Sequence, residues 1–459
     1  MQDAAKEQKT NEQSMKDMKI CNALPLQEYE IKDIDSSLIG KTIKFSGWVR
    51  TFHAIGKKAF FTVYSAEHLV KCMYVATDAK LHLTKHTSVQ VIGEVKKNFT
   101  KDAFPCEVHV TSCEIYGGKV APTFEFDMEQ TSESFLLDHN HLLIREPEKA
   151  AVLKVRAELL KIARQFYDIK EYTEVTPPTL VQTQVEGGST LFKLDYFNEP
   201  AYLTQSSQLY LETVAPVFGK AYCIASSYRA EKSNTRRHLS EYTHVEAELA
   251  WIDFDRLLSE IEDLIIHLST GFNERCIPIL ERFGVKATPI TVPSKPFTRL
   301  EHREAIDILR KGDVKKEDGS EFGYSDDIPD APERYICEQV GKGQPIFLTK
   351  FPYEMKGFYM EKTGDGLTNS CDLLYPGVGE IVGGSMRTPL YADLAEGFKR
   401  EGMSMEPYKF YTDQTLYGPF PHGGYGLGFE RIIMGFMPDI VSKVRYACLY
   451  PRFTGRCRP

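Results

Sequence analysis

Apolar and polar residues alternate in short runs over the first quarter of this chain. TIKFSGWVR, KAFFTVYS, HLVKCMYV, SVQVIGEV and CEVHVTSCEIY, all between Lys41 and Tyr116, are separated by Gly, Lys and Asn turns. Runs of that length and period predict a small antiparallel barrel. Gly117, Gly118 and Pro122 then break the pattern. Pro147 opens a stretch in which Val152, Val155, Leu159, Ile162 and Phe166 recur at helical spacing. It runs into TEVTPPTLV (Thr173 to Val181), an extended segment fixed by Pro177 and Pro178. Further on, strand-like runs predominate, broken by a helix-rich stretch from about Phe254 to Gln344, and a last helix is expected after Gly428. In THVEAEL (Thr243 to Leu249) strict alternation puts His244, Glu246 and Glu248 on one face and Val245, Ala247 and Leu249 on the other.

A length of 459 residues predicts two or three domains. No apolar run approaches membrane-spanning length, so no membrane partner is expected. The opening MQDAAKEQKTNEQSMKDMK has neither an apolar core nor arginines, and reads as a polar tail rather than a secretory signal or transit peptide. The ten cysteines form no C-x-x-C pair, which argues against zinc and disulfides and for a reducing cytoplasm. Net charge is −8, but the stretch from Lys41 to Val120 carries 12 Lys and Arg against 6 Asp and Glu. A basic module on an acidic body suits a polyanion docking at one end; spare surface lysines account for it as well.

Three segments carry candidate chemistry. YRAEKSNTRRHL (Tyr228 to Leu239) ends a strand-like run in Arg-Ala-Glu and a polar loop; GYGLGFERI (Gly424 to Ile432) runs a glycine-rich turn into Glu430-Arg431. Glycines let a backbone approach a ligand, and guanidiniums on either side can clamp a polyphosphate. In CDLLYPGVGEIVGGSMR (Cys371 to Arg387) a Pro-Gly turn can bring Asp372 and Glu380 together, an arrangement open to Mg²⁺ and to a structural role alike.

Together these segments resemble the class II aminoacyl-tRNA synthetases of the aspartate/asparagine/lysine subgroup, and within it the eukaryotic cytoplasmic asparaginyl enzymes. The helix with TEVTPPTL resembles the first class II motif, YRAEKSNTRRHLSEYTHVE the second and GLGFER the third, and the likeness extends from about Ser46 to the C-terminal YPRFTGRCRP. It implies an α+β fold in which an OB-fold β-barrel precedes an antiparallel sheet flanked by helices. The domains expected are a polar tail (1–38), an OB-fold anticodon-binding domain (39–121), a hinge (122–145) and a class II catalytic domain (146–459) with an insertion at about 254–344. The activity implied is an asparagine–tRNA ligase: asparaginyl-adenylate forms from L-asparagine and ATP with release of pyrophosphate, then passes to the 3′ end of tRNA(Asn). A homodimer across the first motif is implied too, with Pro178 at the interface.

The resemblance implies roles residue by residue. Arg229 meets the α-phosphate and the substrate carboxylate. Arg431 holds the γ-phosphate and covers one face of adenine, while Tyr242, where relatives usually have Phe, covers the other. Ala230, Glu231, Arg237, His238 and Leu239 belong to the loop that closes on ATP, and Gly428, Phe429 and Glu430 to the third-motif part of the same site. Asp372 and Glu380 hold Mg²⁺, Glu380 also counting among the ATP contacts; Gly383 stands where aspartate relatives have a serine, so no metal contact is assigned to it. Glu186 and Gln208 hold the amino end of the amino acid and Arg387 its side-chain carbonyl. Aspartate enzymes carry a lysine where this chain has Leu211; here the next residue, Glu212, is read as the acceptor for an amide NH₂. Apart from the resemblance, the alternation of THVEAEL leaves Glu248 on what is read as a solvated or structural face. In the barrel, Arg50, Phe60, Lys71 and Glu107 are the tRNA contacts, Phe60 by stacking on an anticodon base. An aspartate enzyme charging one or both tRNAs, a synthetase-like asparagine synthetase and a catalytically silent tRNA-binding paralogue remain as alternatives, opposed respectively by Leu211-Glu212, by the barrel, and by Arg229, Glu380 and Arg431 together.

Overall fold

A computed structural model describes residues 26–459 except 77–80, 101, 103, 124–130 and 187–189. Most of the expected polar tail, part of the expected hinge, and Gly187, Gly188 and Ser189 lie outside the described residues. The chain divides into two compact units, Met1–Asp127 and Met128–Pro459.

The first unit is a closed barrel of β1 (Thr42–Ile55), β2 (Lys58–Ser65), β3 (His68–Val75), β4 (Ser88–Lys97) and β5 (Cys106–Ile115), in the order β1-β2-β3-β5-β4. Closure depends on the length of β1. Its first half pairs with β4 (Thr42↔Glu94 to Trp48↔Ser88) and its second with β2 (Trp48↔Tyr64 to Ile55↔Lys58), the ladder shifting between Val49 and Thr51. A bulge there bends one strand enough to serve two neighbours. Alternation decides which side chains fill the interior: Ala59, Phe61 and Val63 of β2 point in with Val89, Val91 and Val95 of β4. Phe61, Val63 and the three valines form one apolar cluster with Phe45, Cys72 and Val108.

The second unit is built on an eight-stranded sheet ordered β12-β13-β14-β15-β16-β11-β10-β6. Its strands are β6 (Thr173–Glu174), β10 (Lys220–Tyr228), β11 (Glu241–Ala250), β12 (Thr298–Glu301), β13 (Ile346–Thr349), β14 (Ser370–Tyr375), β15 (Gly379–Met386) and β16 (His422–Gly428). The interior pairs from β13 to β10 are antiparallel; only the edges β12 and β6 join in parallel. A small sheet of β7 (Leu180–Val181), β8 (Lys193–Tyr196) and β9 (Glu199–Leu203) stands apart.

The helix Pro147–Ile169 starts on proline, whose missing N–H costs nothing at a first turn, and buries Val152, Val155, Leu159, Ile162 and Phe166. With the helix Phe254–Gly271 it covers one face of the sheet, in a core shared with Val245, Ala247 and Leu249 of β11 and Leu427 of β16. The segment read as an insertion is thus woven into the main core through that helix, and it supplies the edge strand β12. The opposite face of β11 carries His244, Glu246 and Glu248, which line a cavity of about 440 Å³.

Candidate active site

The cavity floor is the polar face of β11, β14, β15 and β16, and its walls are the loop joining β10 to β11 and the segment before β14. The loop is pinned at its start, where Arg229 N–H donates to Ser240 O (3.0 Å) and Ala230 N–H to Thr190 O (2.8 Å). Arg229 projects into the cavity between Glu186 (4.0 Å) and Glu231 (3.8 Å), with its guanidinium 5.7 Å from the centre of the Tyr242 ring. Arg431, at the start of the helix Phe429–Phe436, donates to the carbonyl (2.8 Å) and the carboxylate (3.0 Å) of Glu380. Burial works against the Glu380 carboxylate, yet Arg431 and Arg237 hold its pKa down at about 2. Burial together with the Arg431 and Arg237 charges pushes His238 down to about 4, so it meets a ligand near neutral pH as an uncharged imidazole. Leu239 and Gly428 line the same space.

Arg237 is engaged elsewhere. It donates to Glu333, on the helix Asp330–Ile336, and lies 3.8 Å from Asp330; Glu333 in turn accepts the Glu380 N–H (2.8 Å). One carboxylate thereby ties the β10–β11 loop to the β14–β15 turn. Asp372 and Glu380 converge over Gly383: a Cβ built there would lie 3.4 Å from Glu380 Oε1 and 3.8 Å from Asp372 Oδ1. Among the described residues no group of three or more His, Cys, Asp or Glu could hold a metal alone. Two carboxylates around an open glycine face fit Mg²⁺ shared with phosphates, because that ion takes one or two carboxylates and keeps waters or phosphate oxygens. Burial raises Asp372 to about 6 against the Lys356 ammonium, 3.1 Å away and 3.6 Å over the Phe351 ring.

At the other end Arg387, almost fully buried, donates to both oxygens of Glu248 (3.1 and 3.0 Å) and to Ser385 Oγ (2.7 Å). Burial pushes the Glu248 carboxyl up, while the bidentate bond to Arg387 draws on its ionised form. Glu186 and Gln208 line this end, Glu186 accepting from Tyr359 OH (3.4 Å). Leu211 also borders the cavity, its side chain packed with Ala221 and Cys223.

Four readings change. Glu212 does not line the cavity: its carboxylate accepts from Gln208 (2.9 Å), Tyr411 OH (2.9 Å) and His422 (3.0 Å), and stands 3.7 Å from Arg387 Nε. One position along a helix turns a side chain by about 100°, so Leu211 at the cavity leaves Glu212 behind its wall. Phe429 is fully buried in the core under the sheet, with no side-chain exposure to a nucleotide. Glu430 reaches the cavity wall, but its carboxylate is taken by Arg156 (2.9 Å) and the Thr243 N–H (3.1 and 3.2 Å), and so fastens the first long helix to β11. Ala230 acts through its backbone alone, outside the cavity lining.

In the barrel, Phe61 is in the core and Phe60 is half-buried on the outer face. The register Phe60↔Met73, Thr62↔Lys71 and Lys71↔Glu107 puts Phe60, Lys71 and Glu107 on that one face. Lys71 is bonded to Asp102 (2.6 Å) and Thr100 (2.7 Å), and Glu107 to His109 (2.8 Å). Arg50 stacks over the Tyr64 ring (4.0 Å).

Sequence reasoning passed over Lys356, Tyr359, Glu246, Glu333 and His422. The first two lie in an irregular stretch, FPYEMKGFYM, that no period singles out. Glu246 was on the alternating face already, and it accepts from Ser206 Oγ (2.5 Å) and the Ser207 N–H (2.9 Å). The same alternation put Glu248 on this face, where a solvated or structural role was expected; it is instead fully buried, lines the cavity and holds Arg387.

The family pattern of the class II tRNA synthetases (D, K and N) matches residues 132–454. The chain is 51% identical over 442 residues to the probable cytoplasmic asparagine–tRNA ligase of Encephalitozoon cuniculi, covering 95% of this chain and 97% of that one. It is 44% identical to the cytoplasmic asparagine–tRNA ligase of Saccharomyces cerevisiae, over 92% of this chain and 77% of the relative. Among solved structures it is similar to asparaginyl-tRNA synthetase from Pyrococcus horikoshii complexed with asparaginyl-adenylate. There the TM-score is 0.86 at 34% identity, covering 94% of this chain and all of that one.

Proposed function

The chain belongs to the class II tRNA synthetases of the D, K and N family, and from that membership we propose that it is an asparagine–tRNA ligase. One observation carries the choice of amino acid. The basic group at the amino-acid end, Arg387, is already matched by the Glu248 carboxylate, and an apolar Leu211 lines the same cavity. A neutral carboxamide can accept from Arg387 and donate to a carboxylate; an aspartate side chain would face that carboxylate as a like charge.

In the first step the asparagine carboxylate, already ionised, attacks the α-phosphorus of ATP and the bond to the β-phosphate oxygen breaks, releasing pyrophosphate. No general base is needed, only alignment and balance of charge. Arg229 bridges the α-phosphate and the attacking carboxylate. Arg431 holds the γ-phosphate with adenine between its guanidinium and Tyr242, and His238 offers a hydrogen bond. Arg237 exchanges Glu333 for phosphate as the loop closes. Asp372 and Glu380 are the residues to hold Mg²⁺, which when bound would draw off charge building on the phosphates. Glu186 and Gln208 receive the ammonium group. In the second step the 3′-terminal hydroxyl of tRNA(Asn) attacks the carbonyl and AMP leaves.

A homodimer belongs to the same reading, formed across β6 and Pro178; Ile169 and Phe218 are exposed beside the point where β6 joins β10. The Encephalitozoon cuniculi and Saccharomyces cerevisiae relatives are named as cytoplasmic, and the same location is assigned to this chain; no described helix is long and apolar enough to cross a membrane. The test is amino-acid-dependent ATP–pyrophosphate exchange with asparagine and aspartate in parallel. Exchange driven by asparagine is expected, and exchange driven by aspartate alone would overturn the assignment.

A further inference from the structure

Behind the cavity wall two buried charged groups, Glu212 and His422, reach no substrate but continue the line of charges that begins at Arg387 and Glu248. His422 opens β16 and is 6% exposed. Both ring nitrogens face oxygen acceptors: Nδ1 is 2.9 Å from Phe420 O and Nε2 is 3.0 Å from Glu212 Oε2. Neither acceptor can supply a proton while Glu212 is ionised, so the ring carries both of its own and is an imidazolium. Burial alone would lower its pKa, but the bond to Glu212 and the charges of Glu212 and Glu248 outweigh it and raise the value. The other groups facing this cluster are Tyr411, whose OH donates to the same Glu212 oxygen (2.9 Å), Gln208, whose amide donates to the other Glu212 oxygen (2.9 Å), and Arg387, flanked by Glu212 (3.7 Å) and Glu248 (3.0 Å). Charges therefore alternate from His422 through Glu212 and Arg387 to Glu248, and the four balance.

We propose that His422 is a positioning residue for amino-acid recognition: its positive charge satisfies Glu212, so that Glu212 steadies Arg387 without drawing it away from the side-chain oxygen of a carboxamide substrate. The proposal rests on the asparagine reading above and extends it to a group that touches neither substrate. With His422 uncharged, Glu212 is a buried carboxylate lacking its cation, and the nearest remaining one is Arg387. Attraction in so dry a site is strong enough to shift a guanidinium that stands only 3.7 Å off. Asparagine binding then weakens, whereas the ATP end of the cavity, built from other side chains, is unaffected.

The experiment is steady-state ATP–pyrophosphate exchange by the full-length protein, with asparagine and ATP varied separately between pH 6 and 9. Wild type should show an asparagine KM that is flat at low pH and rises as pH passes through the raised His422 pKa. His422→Gln should raise the asparagine KM about tenfold, the scale of one charged hydrogen bond, leave the ATP KM within about twofold and lose that inflection. Adding Glu212→Gln removes the orphaned charge, so His422→Gln/Glu212→Gln should bind asparagine more tightly than His422→Gln alone, an interaction that independent structural losses would not show. Should His422→Gln fail to fold, Tyr411→Phe removes the other donor on the same oxygen and should raise the asparagine KM selectively. An unchanged asparagine KM and pH profile would overturn the proposal, as would equal rises for both substrates with additive losses in the double variant. A wild type that ignores asparagine would instead overturn the ligase assignment.

Discussion

One hydrogen atom decides whether Glu248 can stand where it does. A Cβ added to Gly424 would lie 2.0 Å from Glu248 Oε2 and 2.3 Å from Ala247 O. The two strands are paired at this point, Gly424 opposite Glu248, so the backbones cannot part to make room. Gly424→Ala must therefore displace the carboxylate that grips Arg387. The expected result is a loss of about 100-fold in kcat/KM for asparagine, the scale of a displacement of about 1 Å at a reacting centre, with the ATP KM changed less than about threefold. Exchange kinetics check both, and an undiminished kcat/KM would show that Glu248 does not set the position of Arg387. The glycines beside Glu430-Arg431 were plain from the sequence, because small residues beside arginines have a chemical meaning at any distance, but the turn expected of them is the strand β16. What lay hidden was direction: Phe429 and Glu212 sit next to cavity residues in the chain, and each turns into packing that only the folded neighbours define.

At the level of elements, the β10–β11 loop depends on a segment more than two hundred residues further along. Val444 N–H donates to Arg236 O (2.9 Å), Ser240 N–H to Arg452 O (2.7 Å), Thr454 Oγ1 to Glu231 O (3.0 Å), and the buried Arg445 to Asn234 Oδ1 (2.9 Å). The C-terminal segment thus splints the loop that carries Glu231, Arg237 and His238. Arg445→Met keeps the apolar stem over Phe453 but removes the bond to Asn234. The ATP KM should rise about tenfold, as for one charged hydrogen bond, while the asparagine KM stays near wild type; a variant that binds both substrates normally would refute the splint. The barrel strands, the long helix after Pro147 and the faces of β11 were legible because each is written in a local period. The parallel edge strand β12 and the Glu333 tie were not, since they join segments whose sequences hold no mutual signal. For the same reason the first helix of the stretch taken for an insertion could not be recognised as core.

For the molecule as a whole, the barrel and the cavity belong to separate units, one locally basic and one acidic. The residues proposed for the adenylate step all lie in Met128–Pro459, as does the cavity. The barrel offers instead an outer face with Phe60, Lys71 and Glu107 side by side. Phe60 is outside the apolar interior that Phe61 fills, so truncating it leaves the barrel core intact. A base stacked on an aromatic ring contributes about 1–3 kcal/mol. Phe60→Ala should therefore raise the KM for tRNA in aminoacylation by about 10- to 100-fold, while asparagine-dependent exchange, which uses no tRNA, keeps its wild-type rate. Its melting temperature should stay close to that of wild type, because the lost side chain was half in water. Equal loss of charging and exchange would place the effect on folding rather than on recognition, and unchanged charging would move the anticodon to another face of the barrel.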